Sequence, residues 1–258
     1  MSNQSADANT PTPPLACVVI PTYNEADNIV PLLEALRSLG APETYRIVVV
    51  DDNSADGTGR RVGETAPRLG GIELLERPSK LGLGTAYAAG FRRAFDLGAR
   101  YAVTMDADFS HDPTRIPALV AALEEHDADL AIGSRYVPGG RIENWGIHRQ
   151  VISRTANWLA HQLLHLRARD CTSGFRCYRA AFLRTIDLTR ITTDGYSYLV
   201  EILYECQRRG ARIIEIPIVF RNRERGRSKI SRSEIFKAIA TLWRLRRRRR
   251  EDREQATQ

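Results

Sequence analysis

From residue 16 onward, short runs of β-branched and aliphatic residues alternate with amphipathic stretches, and the runs end in acidic or small polar residues. No other property of the sequence narrows the fold as far. CVVIP (17–21), RIVVVDD (46–52), IELLE (72–76), YAVTMDAD (101–108) and DLAIGS (129–134) read as buried strands. Residues 26–39, 57–68, 84–97 and 113–126 read as helices, the first with Ile29, Leu32, Leu33 and Leu36 on one face. Alternation at this spacing predicts an α/β fold, an open and mostly parallel sheet with helices on both faces. Sheets of that kind gather ligands at the carboxyl ends of their strands. PTYNE (21–25), DDNS (51–54) and DAD (106–108) all stand at such ends. RIIEIPIVFR (212–221) reads as one more strand, and residues 1–14 as a disordered leader without periodicity.

Other properties bound the function. No uncharged apolar run approaches the ~18–20 residues of a membrane-spanning helix. The N-terminus lacks the basic start and apolar region of a secretory signal, and Cys17, Cys171, Cys177 and Cys206 show no metal-ligand spacing. The expectation is a cytoplasmic protein with reduced thiols. The net charge of +7 is unevenly distributed: residues 221–258 hold 14 Lys and Arg against 5 Asp and Glu, and the rest hold 24 against 26. A near-neutral body with a basic edge suits an anionic partner. Ser233 is a candidate N-cap for a last helix over 231–250, with Ile235, Phe236, Ile239, Leu242 and Trp243 on one stripe and five arginines at its end. That pattern fits a helix lying on an anionic membrane, and it equally fits a face packed on the domain. Without interleaved aromatics the arginines carry no base-reading signal, so no nucleic-acid partner is expected. Residues 251–258 read as a disordered tail.

The motifs admit bland readings as well. Asp106 and Asp108 at a strand end suit a divalent cation, Mg²⁺ or Mn²⁺, shared with phosphate oxygens. One of them could instead cap the next helix. Asp51 and Asp52 could accept from a ribose or base, or close a turn. LGLGTAY (81–87) lacks the third glycine of a dinucleotide loop, which excludes a Rossmann dehydrogenase. Arg135, Arg149, Arg223 and Lys229 could clamp phosphates or sit in solvent. Asp170 reads as a turn residue more readily than as a site carboxylate.

PTYNE, DDNSADGT (51–58), LGLGTAY, MDADFSHDP (105–113), GSRYVPGG (133–140), DCTSGFRCYR (170–179) and RGRSKI (225–230) occur in this order. Together they resemble the dolichyl-phosphate, or polyprenol monophosphomannose, synthases: inverting family 2 glycosyltransferases with the GT-A nucleotide-diphospho-sugar transferase fold. The likeness spans about residues 15–230, which would form one domain of the compact type without C-terminal transmembrane helices. It implies mannose transfer from GDP-mannose to a polyprenyl phosphate with inversion; glucosyl or other glycosyl transfer from a UDP-sugar, or a non-catalytic membrane-surface adaptor, are the alternatives. It further implies that Pro21, Tyr23 and Glu25 hold the donor nucleoside, that Val50 and Asp52 line base and ribose, and that Asp106, Ala107 and Asp108 meet the diphosphate. Asp108 would be the principal metal ligand beside Asp106, with Ser110 where some members carry a ligating Gln. Arg135 and Lys229 would be catalytic with the two aspartates, Arg135, Arg223 and Lys229 would hold the donor, and Arg135 and Arg149 the acceptor phosphate. The lipid acceptor implies a peripheral protein on the inner face of the membrane, held directly or through a membrane-anchored partner. Two segments could touch the bilayer: Trp158, Leu159, Leu163 and Leu164 within residues 145–166, and the terminal helix.

Overall fold

In a computed structural model, residues 14–193, 195–222 and 240–248 are described. The first three strands and their helices follow the expected order: β1 (Ala16–Thr22), α1 (Ala26–Arg37), β2 (Tyr45–Asp51), α2 (Thr58–Leu69), β3 (Ile72–Glu76) and α3 (Leu83–Asp96). Next come β4 (Tyr101–Thr104), α4 (Ile116–Glu125), β5 (Leu130–Ser134), β6 (Arg141–Glu143), α5 (Ile147–Leu164) and β7 (Arg176–Arg179). The chain continues through α6 (Ala180–Leu183), α7 (Tyr196–Arg208), β8 (Ile213–Pro217) and β9 (Val219–Arg221). A further helical segment covers 240–248.

The seven-stranded sheet runs β3-β2-β1-β4-β7-β5-β8. All neighbours are parallel except at β7, which runs antiparallel between β4 and β5. β6 and β9 form a small second sheet. Period-two side-chain alternation divides the core. Cys17, Val19, Val48 and Val50 pack on one face with residues of α3, α5 and α7. Val18, Ile20, Ile47 and Val49 pack on the other with α1 and α4. Burial on both faces is why these strands are continuously apolar. α3 lies so close to β1 that a Cβ at Gly90 would come within 2.1 Å of Val19 Cγ1.

Three readings of the sequence differ from the structure. DCTSGFRCYR contains strand β7, whose pairing with β4 and β5 is long-range and leaves no local periodicity. The single strand expected over 212–221 is broken at Ile218, whose N–H donates to the Ser134 carbonyl, and the chain passes from one sheet to the other there. In the C-terminal helical segment Leu242 and Leu245 are buried in the domain core, while Trp243 is 52% exposed, so Leu242 and Trp243 do not share one face. Arg244 and Arg248 pair with Glu201 and Glu205 of α7, both at 3.0 Å. The leader through residue 13, Ser233, Ile235, Phe236, Ile239 and the tail lie outside the described residues.

Candidate active site

The carboxyl ends of β1, β2, β4 and β5 open onto one cavity of about 310 Å³. Pro21, Tyr23 and Glu25 line it from the β1–α1 turn, Asp52 from the end of β2, and Asp106, Ala107 and Asp108 from the end of β4. Arg135 enters from the end of β5. The structure therefore brings together eight of the residues singled out in the sequence. Val50 is not among them. Its side chain is fully buried in the core below the cavity, because its strand register points it into the sheet's α3 face. Arg223 and Lys229 lie outside the described residues.

At the nucleotide end the two aspartates separate. Asp51 is structural: its carboxylate accepts from Thr22 Oγ1 (2.8 Å), Ser54 Oγ (2.6 Å) and the Ser54 N–H (2.9 Å), and it is buried. Asp52 faces the cavity and pairs with Arg77. Arg77 also donates to Thr85 Oγ1 (2.6 Å) and the Gly82 carbonyl (3.0 Å), so the glycine-rich turn is tied to Asp52. Lys80 sits 4.3 Å from the centre of the Tyr23 ring. Neither Arg77 nor Lys80 belongs to a short motif, and only tertiary folding reveals them.

At the diphosphate end, Asp106 keeps 41% of its side chain exposed, while Asp108 is buried and accepts from the Ser110 N–H at 3.0 Å. Ser110 itself is buried and does not line the cavity. The backbone turns through φ +58° at Phe109, and the Ser110 N–H meets the Asp108 carboxylate beyond that turn. Among the described residues no cluster of three or more His, Cys, Asp and Glu forms. Two carboxylates of this kind fit a hard divalent cation whose shell is completed by phosphate oxygens and water. Behind them His111 accepts from the Asp106 N–H through Nδ1 (3.3 Å) and stacks on Phe175. Burial pushes its pKa down to about 4, so the imidazole is neutral at pH 7. Gly174 completes the cradle: a Cβ there would stand 3.4 Å from Asp106 Oδ1.

Arg135 is fixed by Asp170, which the sequence suggested as a turn residue. Asp170 is wholly buried and accepts from Arg135 Nε (2.7 Å), Nη2 (2.6 Å) and backbone N–H (3.0 Å). Thr172 Oγ1 accepts from Arg135 Nη2 at 2.7 Å, and Asn157 of α5 donates to the same hydroxyl at 3.1 Å. Burial alone would raise the Asp170 pKa, but the Arg135 charge and hydrogen bonds outweigh it and hold the carboxyl below its usual range. The guanidinium thus reaches the cavity wall already oriented. Arg149 does not line the cavity; it stacks 4.0 Å from the centre of the Trp145 ring, which does, and donates to Asn222 Oδ1 at 3.1 Å.

Paired carboxylates facing an oriented guanidinium, at the carboxyl ends of a sheet with one antiparallel strand inserted, define a glycosyltransferase of the GT-A type. Residues 17–187 match the model of glycosyl transferase family 2, and the chain belongs to that family. It is 42% identical over 223 residues to polyprenol monophosphomannose synthase of Mycolicibacterium smegmatis, covering 86% of this chain and 83% of that protein. It is likewise 42% identical over 226 residues to undecaprenyl-phosphate mannosyltransferase of Micrococcus luteus, covering 88% and 91%. Glucosyl-3-phosphoglycerate synthase of Mycobacterium tuberculosis, solved with Mn²⁺, UDP and glucosyl-3-phosphoglycerate, superposes with a TM-score of 0.67 at 20% identity. That match covers 89% of this chain and 79% of the other. The same enzyme with Mn²⁺, UDP and phosphoglyceric acid gives 0.68 at 20% identity, over 90% and 78%. At that identity the likeness is one of fold.

Proposed function

We propose that the chain transfers mannose from GDP-mannose to a polyprenyl phosphate with inversion, at the inner membrane surface. The observation that carries this reading is the pairing of the Asp106–Asp108 wall with an oriented Arg135 in a chain 42% identical, over most of its length, to two enzymes named for mannosyl transfer to polyprenyl phosphates. Asp52, Tyr23 and Glu25 would hold the nucleoside, and Asp106 and Asp108 a Mg²⁺ or Mn²⁺ bound to the diphosphate. The ion would stabilise charge on the departing GDP. The acceptor phosphate is already ionised, so no general base is needed to make the nucleophile. Its oxygen attacks the anomeric carbon as the bond to the β-phosphate breaks, and GDP leaves with the electron pair. The chain's task is to hold two anions together against their repulsion, a matter of positioning and electrostatics. Arg135, Arg149, Arg223 and Lys229 are the cations assigned to it.

The described residues contain no helix long and apolar enough to cross a membrane. Peripheral contact is proposed through α5, which starts beside Trp145 at the cavity and leaves Ile147, Val151, Ile152 and Trp158 exposed. Leu164 is buried, and Leu159 and Leu163 pack against the core, so those three do not face outward. A membrane-anchored partner would lie on the same face. The test is incubation with polyprenyl phosphate and labelled GDP-mannose or UDP-glucose in separate reactions. Lipid-linked mannose from GDP-mannose is expected; product from UDP-glucose alone would replace this donor, and product from neither would favour an adaptor.

A further inference from the structure

On the outer side of Arg135, away from the catalytic cavity, lies a second cleft of about 490 Å³ between α5 and the segment following β5. Tyr136, Arg154, Trp158, His161 and Arg169 line it. Arg135 borders both cavities, so the cleft adjoins the active site.

Its chemistry is one-sided. Among the described residues no acidic side chain lines it. Among the described residues the guanidinium groups of Arg154 and Arg169 make no ion pair or hydrogen bond with the chain, whereas Arg77, Arg135 and Arg244 are all paired. Glu215, on adjacent β8, is engaged elsewhere: it accepts from the backbone N–H groups of Arg169 (2.8 Å) and Asp170 (2.9 Å). Two unpaired guanidiniums with a histidine beside them suit a phosphate, which arginine binds bidentately.

The surroundings say which kind of phosphate. Ile147, Val151, Arg154, Trp158 and His161 recur at intervals of three and four, so they form one stripe along α5. Ile147 is 81% exposed, Val151 56% and Trp158 60%. Aliphatic residues with a tryptophan among basic side chains are the composition of a helix seated at the lipid headgroup level. A soluble phosphate compound would use the arginines and leave the apolar stripe in water.

We infer that this cleft is a binding site for the phosphate headgroup of an anionic phospholipid, distinct from the acceptor. Bound there, the headgroup holds α5 flat on the bilayer and the catalytic cavity at the level of a lipid phosphate. This deepens the proposed lipid-acceptor function and rests on it for its purpose, but the binding itself needs neither donor nor acceptor.

The experiment is flotation of the full chain with phosphatidylcholine vesicles, with and without phosphatidylglycerol, without substrates. Wild type should bind the anionic vesicles and not the neutral ones. At about 1 kcal/mol per basic residue, Arg154→Gln with Arg169→Gln should weaken binding roughly 30-fold. Arg46→Gln with Arg209→Gln removes the same charge near the amino ends of the strands, the end of the sheet away from the cleft, and should change binding much less. Trp158→Ala should weaken it while leaving the charge intact. Circular dichroism and the thermal midpoint establish that each variant is folded. Equal loss from the two double variants would overturn the site in favour of a general electrostatic field. Binding of free glycerol 3-phosphate at comparable affinity would replace the lipid with a soluble ligand, and no binding of wild type to anionic vesicles would remove the proposal outright. Failure to transfer mannose, with vesicle binding behaving as described, would sink the enzymatic reading alone.

Discussion

Replacing Asp170 by asparagine keeps the shape of the side chain but removes its charge and one of its two acceptor oxygens. The Arg135 side chain is 4% exposed and that of Asp170 0%, so the guanidinium would be left in the protein interior without its counter-ion. One oxygen that accepts from Arg135 would become an amide donor facing donors. Removing one member of a buried pair costs about 3–5 kcal/mol. Against a total stability of roughly 5–15 kcal/mol the variant should still fold, with a thermal midpoint lowered by about 6–20 °C for a domain of this size. Arg135→Met with Asp170→Leu removes both charges and should recover most of that stability, as apolar replacement of a buried pair generally does. The double variant should nevertheless be inactive, since Arg135 no longer reaches the cavity as a cation. Urea titrations of wild type, Arg135→Met, Asp170→Leu and the double variant give the coupling energy. The titration should also depend on pH. Because Asp170 is held below the usual carboxylate range, its pairing stabilises the fold above the unfolded-state pKa of about 4 and is lost as pH falls through the lower folded value. The gap between wild type and Asp170→Asn should therefore narrow below that pH. An Asp170→Asn loss under about 0.5 kcal/mol, or additive single variants, would refute the reasoning, since contacting charges should couple.

Asp108→Ala should abolish transfer at any practical Mg²⁺ or Mn²⁺ concentration with the fold intact by circular dichroism; near-normal wild-type activity in EDTA would contradict it. Gly90→Ala forces a methyl into Val19 and should cost about 1–3 kcal/mol in denaturant titration. Leu245→Ala should cost about 2–5 kcal/mol, because the 240–248 helix packs into the core; a change below 0.5 kcal/mol on the order of surface substitutions would mean the segment is not part of the domain. Membrane association should fall steeply with salt in flotation at rising NaCl, as exposed charges are screened.

The sequence carried much of the fold and half of the site because local pattern encodes both. Continuous β-branched runs such as IVVV can be satisfied only by burial on two faces, and a parallel sheet follows. The acidic ends of those runs mark where a ligand must sit, whatever the loop details. Position made Asp51, Asp52, Asp106 and Asp108 candidates, and only the fold shows that Asp52, Asp106 and Asp108 line the cavity while Asp51 does not. Strand β7 was not legible, since its partners in β4 and β5 lie about 75 and 45 residues upstream and an antiparallel insertion depends on long-range pairing. Nor could any spacing show that Asp170, 35 residues beyond Arg135, is the carboxylate that orients it. The same limit separated the two amphipathic helices, α5 and the segment over 240–248. Both read as amphipathic, but only packing decides that Leu242 and Leu245 enter the core while Ile147, Val151 and Trp158 stay outside it. Periodicity fixes which side chains share a face, whereas what that face meets depends on every other element of the fold.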